Sequence, residues 1–377
     1  MPAFGNRESA ILSDSVKAAN HTPKKGVYLL MNDEIKMMLS AADLAALQQV
    51  HSEVVEEFLY PDNLRVNVVG LGVGVKWKNN QPTGTPALMV LVTHKVEKYK
   101  LPKASLLPPI LKGMDIDVIP VGRLTAKAGS SILSNKASGL TQHIRPVQGG
   151  YSIGHMDITA GTIATCVYDL LPQGIGIPKK YYILSNNHVL ANKNNARPGD
   201  PIVQPGPIDG GCCPFDTIAN LSRFIPIDFE PFVPRYLHDN IVDAAIAQGQ
   251  LHNLDRAISW MGYVGGWLPQ EKVKVGMIVQ KTGRTTGFTR GRILATNTTV
   301  DVSYSGGKTA RFKDQIVNTA MTSGGDSGSL LVTLIDHIPF AVGLHFASSS
   351  STSIANQIEH VRSLLKVEIA ENSIYQK

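Results

Sequence analysis

Met321-Thr-Ser-Gly-Gly-Asp-Ser-Gly-Ser-Leu-Leu-Val332 reads as a turn built to expose a hydroxyl. Gly324 and Gly325 let the backbone enter a tight turn that residues bearing a Cβ resist. Ser327 stands at the tip, just ahead of the apolar run that closes the stretch. The N–H groups of Gly325 and Ser327 can converge on one point. Two such donors make an oxyanion hole, each worth ~3–4 kcal/mol in a transition state. Alone, the string would serve equally as a hairpin turn of small residues. The sequence upstream decides between the two.

Tyr181-Tyr-Ile-Leu-Ser-Asn-Asn-His-Val-Leu-Ala191 is an apolar strand that stops at polar residues and delivers His188 at its end. Asn240-Ile-Val-Asp-Ala-Ala-Ile-Ala247 sets Asp243 immediately before a second short apolar strand. A serine hydroxyl is a weak nucleophile until a histidine accepts its proton, and a buried aspartate fixes that histidine's tautomer and direction. Taken singly, His188 reads as a core histidine and Asp243 as a turn former. Three matching contexts make a catalytic set.

The segments LSNNHVLA, VDAAIA and GGDSGSLLV resemble the His, Asp and Ser motifs of trypsin-like serine peptidases, in the chain order of the chymotrypsin type. The nucleophile-elbow pattern G-x-S-x-G fails, because position 329 is serine. Gly276–Ile293 resembles the first hairpin of the second barrel in bacterial members. The nearest resemblance is to the bacterial and narrow-leaf-type plant branch, in which a small extra domain precedes the peptidase. It covers residues 145–368 and, more loosely, 64–123. It implies a mainly β chain: a chymotrypsin-like double β-barrel preceded by an N-terminal helix and a small β-rich α+β domain.

With 377 residues, 43% of them hydrophobic, the chain can bury a large core, and 34 Gly and 22 Pro suit a turn-rich β protein. A net charge of +6 without a Lys/Arg block gives no nucleic-acid face. Cys166, Cys212 and Cys213 are too few and wrongly spaced for a disulfide framework or a metal site, so reduced thiols, no metal and no cofactor are expected. No signal peptide and no membrane-spanning run stand out, and a cytoplasmic location is expected.

The chain divides into a lead and helix (1–63), a small β-rich domain (64–123), a linker (124–144) and the two-barrel domain (145–377). Ser40-Ala-Ala-Asp43 is a capping-box variant opening a helix to about Phe58, with Leu44, Leu47, Val50, Val54 and Phe58 on one face. The helix packs on the next domain, with self-association into a homo-oligomer as its second reading. Val66–Trp77 alternates as a strand whose Gly70, Gly72 and Gly74 allow close approach of a neighbour. A turn over Lys78–Gly84 leads to a second strand, Thr85–Val96. Ala128-Gly-Ser-Ser marks the linker, and a chain starting near Ile144 is expected to fold alone. Val147–Gly154 resembles the start of activated trypsins, whose freed N-terminus pairs with the aspartate beside the nucleophile. Without a secretory route, Asp326 is expected to find an internal partner instead. Ile358, Val361, Leu364 and Leu365 form a closing helix.

The function expected is a serine endopeptidase acting on protein or peptide substrates. The alternative is a peptide-binding or scaffold protein with a blocked cleft. Trypsins carry an aspartate six positions before the serine; here that position is Met321, so cleavage after Lys or Arg is not expected. Thr322 and His345 match the pair with which glutamyl endopeptidases hold a glutamate side chain, and imply selection of Glu or Gln before the scissile bond.

Overall fold

A computed structural model of the chain describes residues 35–60, 67–127, 139–170, 178 and 180–369. Strand is the commonest element among them, arranged chiefly in an eleven-stranded and an eight-stranded sheet. The eight-stranded sheet carries Tyr181–Ser185 and Ala245–Gly249, paired antiparallel, and so holds the His188 and Asp243 ends of the site side by side. The eleven-stranded sheet carries Leu330–Ile335, the strand after Ser327, between Ile278–Gly283 and Ile338–Ser348.

The helix expected from the Ser40 cap spans Ala41–Leu59. Ser40 Oγ accepts a hydrogen bond from the Asp43 amide at 3.1 Å and donates to its carboxylate at 2.6 Å. Leu47, Val50, Val54 and Phe58 are buried against Leu71, Val73, Leu88 and Val90. Burial of this stripe, more than helix propensity, holds the helix. In the C-terminal helix Ile358–Leu365, Ile358, Val361 and Leu365 are buried, whereas Leu364 faces solvent.

The first hairpin is tighter than the expected turn over Lys78–Gly84. Asn79 and Asn80 take φ of 51° and 60°, so two residues suffice between Val68–Lys78 and Gln81–Val92. Such a turn needs both central residues left-handed, a conformation asparagine tolerates. The glycines of the first strand are explained by a neighbour: a Cβ on Gly72 would lie 2.2 Å from Thr298 Oγ1.

That neighbour changes the architecture. The sequence sets 64–123 apart, but Val68–Lys78 pairs antiparallel with Gly287–Ser303, Gly70 facing Val300 and Gly74 facing Ala295. Its strands therefore extend the sheet that carries the nucleophile turn. Met89, Leu91, Val121 and Leu124 share one apolar cluster with Val300, Phe312 and Phe346. Arg311, wholly buried, bridges the same junction: its guanidinium binds Asp301 at 2.8 Å and Glu56 at 3.1 Å, and donates to the Leu59 carbonyl.

The shared core bears on the chain beginning at Ile144 and on the full chain alike. The truncation would strip cover from Val300, Phe312 and Phe346, so the expected result is aggregated protein and not the autonomous fold the sequence suggested. In the full chain, Met89→Ala should lower the unfolding free energy by about 2–5 kcal/mol. Denaturant melts followed by near-UV circular dichroism check both.

Candidate active site

His188 is positioned where Tyr181–Ser185 turns at Asn186 into the single helical turn Asn187–Leu190. Asn186 Nδ2 donates to the Asp243 carbonyl at 2.7 Å, tying the two ends together. His188 Nδ1 lies 2.7 Å from Asp243 Oδ2, and the His188 backbone N–H donates to Asp243 Oδ1 at 3.1 Å. Both residues are buried. The structure therefore brings together the two residues that the sequence paired, with the imidazole Nδ1 facing the carboxylate.

A third donor was not legible in the sequence. Tyr304, at the end of Gly287–Ser303, donates its phenol O–H to Asp243 Oδ2 at 2.7 Å. Burial, and then the charge of Asp243, push that phenol well above its usual range, so it stays protonated and stays a donor. Its ring also meets His188 edge-on, with centroids 5.9 Å apart. Tyr304 precedes Ser305-Gly-Gly, and nothing in that turn signals the contact, which depends on how the two sheets face each other.

Ser327 sits where expected, on a turn with Gly325 at φ 97° and Gly328 at φ 95°. A Cβ on Gly328 would lie 2.1 Å from Ser185 Oγ, so only glycine lets the turn close on the first sheet. Asp326 finds its internal partner in Lys281, at 3.3 Å with both side chains fully buried. It also accepts from the amides of Ser323, Thr285 and Thr286 and from Thr286 Oγ1. Burial alone would raise the Asp326 pKa, but the Lys281 charge and these hydrogen bonds outweigh it and hold the carboxyl below its ordinary range.

The Ser327 hydroxyl is directed at two carbonyl oxygens, Phe346 at 3.4 Å and Lys127 at 3.5 Å. His188 Nε2 is buried with no hydrogen-bond partner among the described residues. The serine-to-histidine hydrogen bond is thus unmade here. Of the two expected oxyanion donors, the Gly325 N–H is engaged, donating to the Lys127 carbonyl at 3.2 Å.

The specificity pair is separated in its bonding. Thr322 Oγ1 shares a hydrogen bond with Ser353 Oγ at 2.7 Å. His345 is buried and hydrogen-bonded to the Ile354 backbone, and burial pushes its imidazole down to about 3, so it is neutral at physiological pH. Met321 is buried. Among the described residues, no group of His, Cys, Asp and Glu is placed to hold a metal ion.

No family model matches the sequence, and no curated protein matches it. Solved structures do. Thermobifida fusca protease A is 15% identical over 60% of this chain and 99% of its own, with a TM-score of 0.41. Cellulomonas bogoriensis chymotrypsin is 18% identical over 60% and 99%, at 0.40. A glutamic-acid-specific serine protease, described as using a histidine triad in substrate binding, is 18% identical over 59% and 100%, at 0.41. The chain is similar to serine proteases of the chymotrypsin fold. At such identities and TM-scores, the likeness carries no conclusion about activity, which rests on the side chains themselves.

Tyr304→Phe deletes one hydrogen bond to the Asp243 carboxylate and little else. The expected effect on hydrolysis is a fall in kcat of about 10- to 100-fold, with KM unchanged, since a bond to a charged group contributes about 1.5–3 kcal/mol. A change confined to KM would remove Tyr304 from the positioning of the histidine.

Proposed function

We propose that the chain is a serine endopeptidase. The observation that carries this reading is the buried His188–Asp243 pair at 2.7 Å, with His188 Nε2 unpartnered among the described residues and Ser327 on a glycine-flanked turn. Ser327 Oγ attacks the scissile carbonyl carbon as His188 Nε2 takes its proton. Asp243, with Tyr304 behind it, holds the imidazole and stabilises its cationic form. The amides of Gly325 and Ser327 receive the developing oxyanion. His188 then returns the proton to the leaving amine. Water, activated by the same imidazole, releases the acyl group as a carboxylate.

For the residue before the scissile bond, we infer a preference for glutamine over glutamate. A neutral imidazole whose N–H is donated to the Ile354 carbonyl presents an acceptor nitrogen on its other side. The amide NH2 of glutamine can donate to it, and a carboxylate cannot. A panel of fluorogenic peptides varied at this position should give kcat/KM for Gln about 10-fold above Glu, the worth of one hydrogen bond. Best cleavage after Leu, Ala or Phe would sink the role of His345.

The alternative, a peptide-binding protein with a blocked cleft, draws support from the Lys127 carbonyl against Gly325. A fluorophosphonate probe separates the two readings, since it reacts with an activated serine whatever the substrate. Wild-type chain should label at Ser327, and Ser327→Ala should neither label nor turn over peptides. A triad member typically contributes ~10⁴–10⁶ in rate. Turnover by the purified Ser327→Ala chain at the wild-type rate would refute the mechanism.

A further inference from the structure

Leu124–Lys127 opens, in sequence, the connection between the small β unit and the first barrel, yet it pairs as a strand between Ser303 and Ser348. Thr125 makes a two-way antiparallel bridge with Ser348: its N–H donates to the Ser348 carbonyl at 2.9 Å and its carbonyl accepts from the Ser348 N–H at 3.0 Å. On its other side, the Ala126 N–H donates to the Ser303 carbonyl at 3.1 Å, and the Leu124 carbonyl accepts from Ser303 at 3.0 Å. The strand ends with the Lys127 carbonyl 3.2 Å from the Gly325 amide and 3.5 Å from Ser327 Oγ. His188, Tyr304, Thr125, Ala126 and Lys127 line one cavity of about 500 Å³.

This is the register an extended substrate needs. Backbone pairing with a sheet edge supplies affinity, and alternate side chains supply selectivity. Here Leu124 and Ala126 point into the apolar cluster that contains Tyr304, Phe312 and Phe346, while Lys127 is exposed. The Lys127 carbonyl takes one of the two expected oxyanion donors, and that donor cannot serve an incoming substrate at the same time.

We propose that Leu124–Lys127 is a resident ligand of this chain's own peptide groove. The groove takes an extended strand with an alanine one residue, and a leucine three residues, before the residue whose carbonyl faces Ser327. It is closed to protein substrates until the resident strand leaves. The proposal rests on the reading of the cleft as a peptide site, but not on catalysis. Being tethered, the strand acts at an effective concentration that a free peptide must exceed. Displacing it costs its backbone bonds and the burial of Leu124 and Ala126.

Two variants of the full chain open the groove by different routes. Thr125→Pro removes the N–H given to Ser348, and Ala126→Asp puts a charge into the apolar cluster. Each is made in a Ser327→Ala background and titrated with a fluorescein-labelled Gly-Arg-Leu-Thr-Ala-Lys peptide, read by anisotropy. The folded variants should bind at least ~10-fold more tightly than the chain with its native segment. Equal binding, or none to a folded variant, overturns the proposal. With Ser327 restored, the opened variants should also react faster with the fluorophosphonate probe. Peptide binding without labelling of any chain would uphold the resident strand and sink the peptidase reading. Hydrogen exchange on the unmutated chain tests the contact with no substitution at all. The Thr125 and Ser348 amides should be protected, and exchange at the rate of a free peptide would overturn the proposal.

Discussion

A carboxylate with no access to water holds the two sheets in register. Asp243 is fully buried, and a buried charge is tolerated only when hydrogen bonds replace its hydration. Those bonds come from both sides: His188 from the eight-stranded sheet, and the Tyr304 phenol from the eleven-stranded one. Its backbone is held the same way, the Asp243 N–H donating to Asn356 Oδ1 and its carbonyl accepting from Asn186. Asn356 in turn donates to Gln315 Oε1 at 2.7 Å. Sliding one sheet against the other would leave the charge short of donors. The hydrogen bonds that the buried Asp243 carboxylate requires therefore also fix where His188 points.

The nucleophile turn depends on a second buried charge. Asp326 ties the turn to Lys281 and to the amides of Thr285 and Thr286, on the adjacent hairpin of the same sheet. With φ values that only glycine adopts freely on either side, the turn has a single low-energy shape. Lys281 is the internal partner that the sequence called for, and it anchors the turn from within its own sheet. What restrains the site is instead the strand lying in the cleft, and the pairing of Val68–Lys78 with Gly287–Ser303 keeps that strand close to Ser327.

Thiol chemistry stays apart from this. Cys166 is buried and its pKa is pushed up to about 12 by that burial, while Cys212 and Cys213 are exposed on a loop and free. None is hydrogen-bonded to His188, Asp243 or Ser327 among the described residues, whose partners are oxygen and nitrogen groups.

Local chemistry was legible in the sequence wherever it is carried by neighbours along the chain. The cap at Ser40, the apolar stripe from Leu47 to Phe58, the strand before His188 and the turn around Ser327 each follow from the residues beside them. So did the need of Asp326 for an internal partner, though not that it is Lys281, 45 residues away. Helix period, strand alternation and glycine turns are short-range properties, and a sequence shows them directly. Three features were decided only in the fold: Tyr304 behind Asp243, the small β unit continuing the second sheet, and Lys127 against the Gly325 amide. Each joins residues 61 to 230 positions apart, and their pairing is set by sheet edges and burial, which local patterns do not encode. Polar groups and open strand edges must find partners somewhere. The sequence shows that demand, and tertiary packing chooses who meets it.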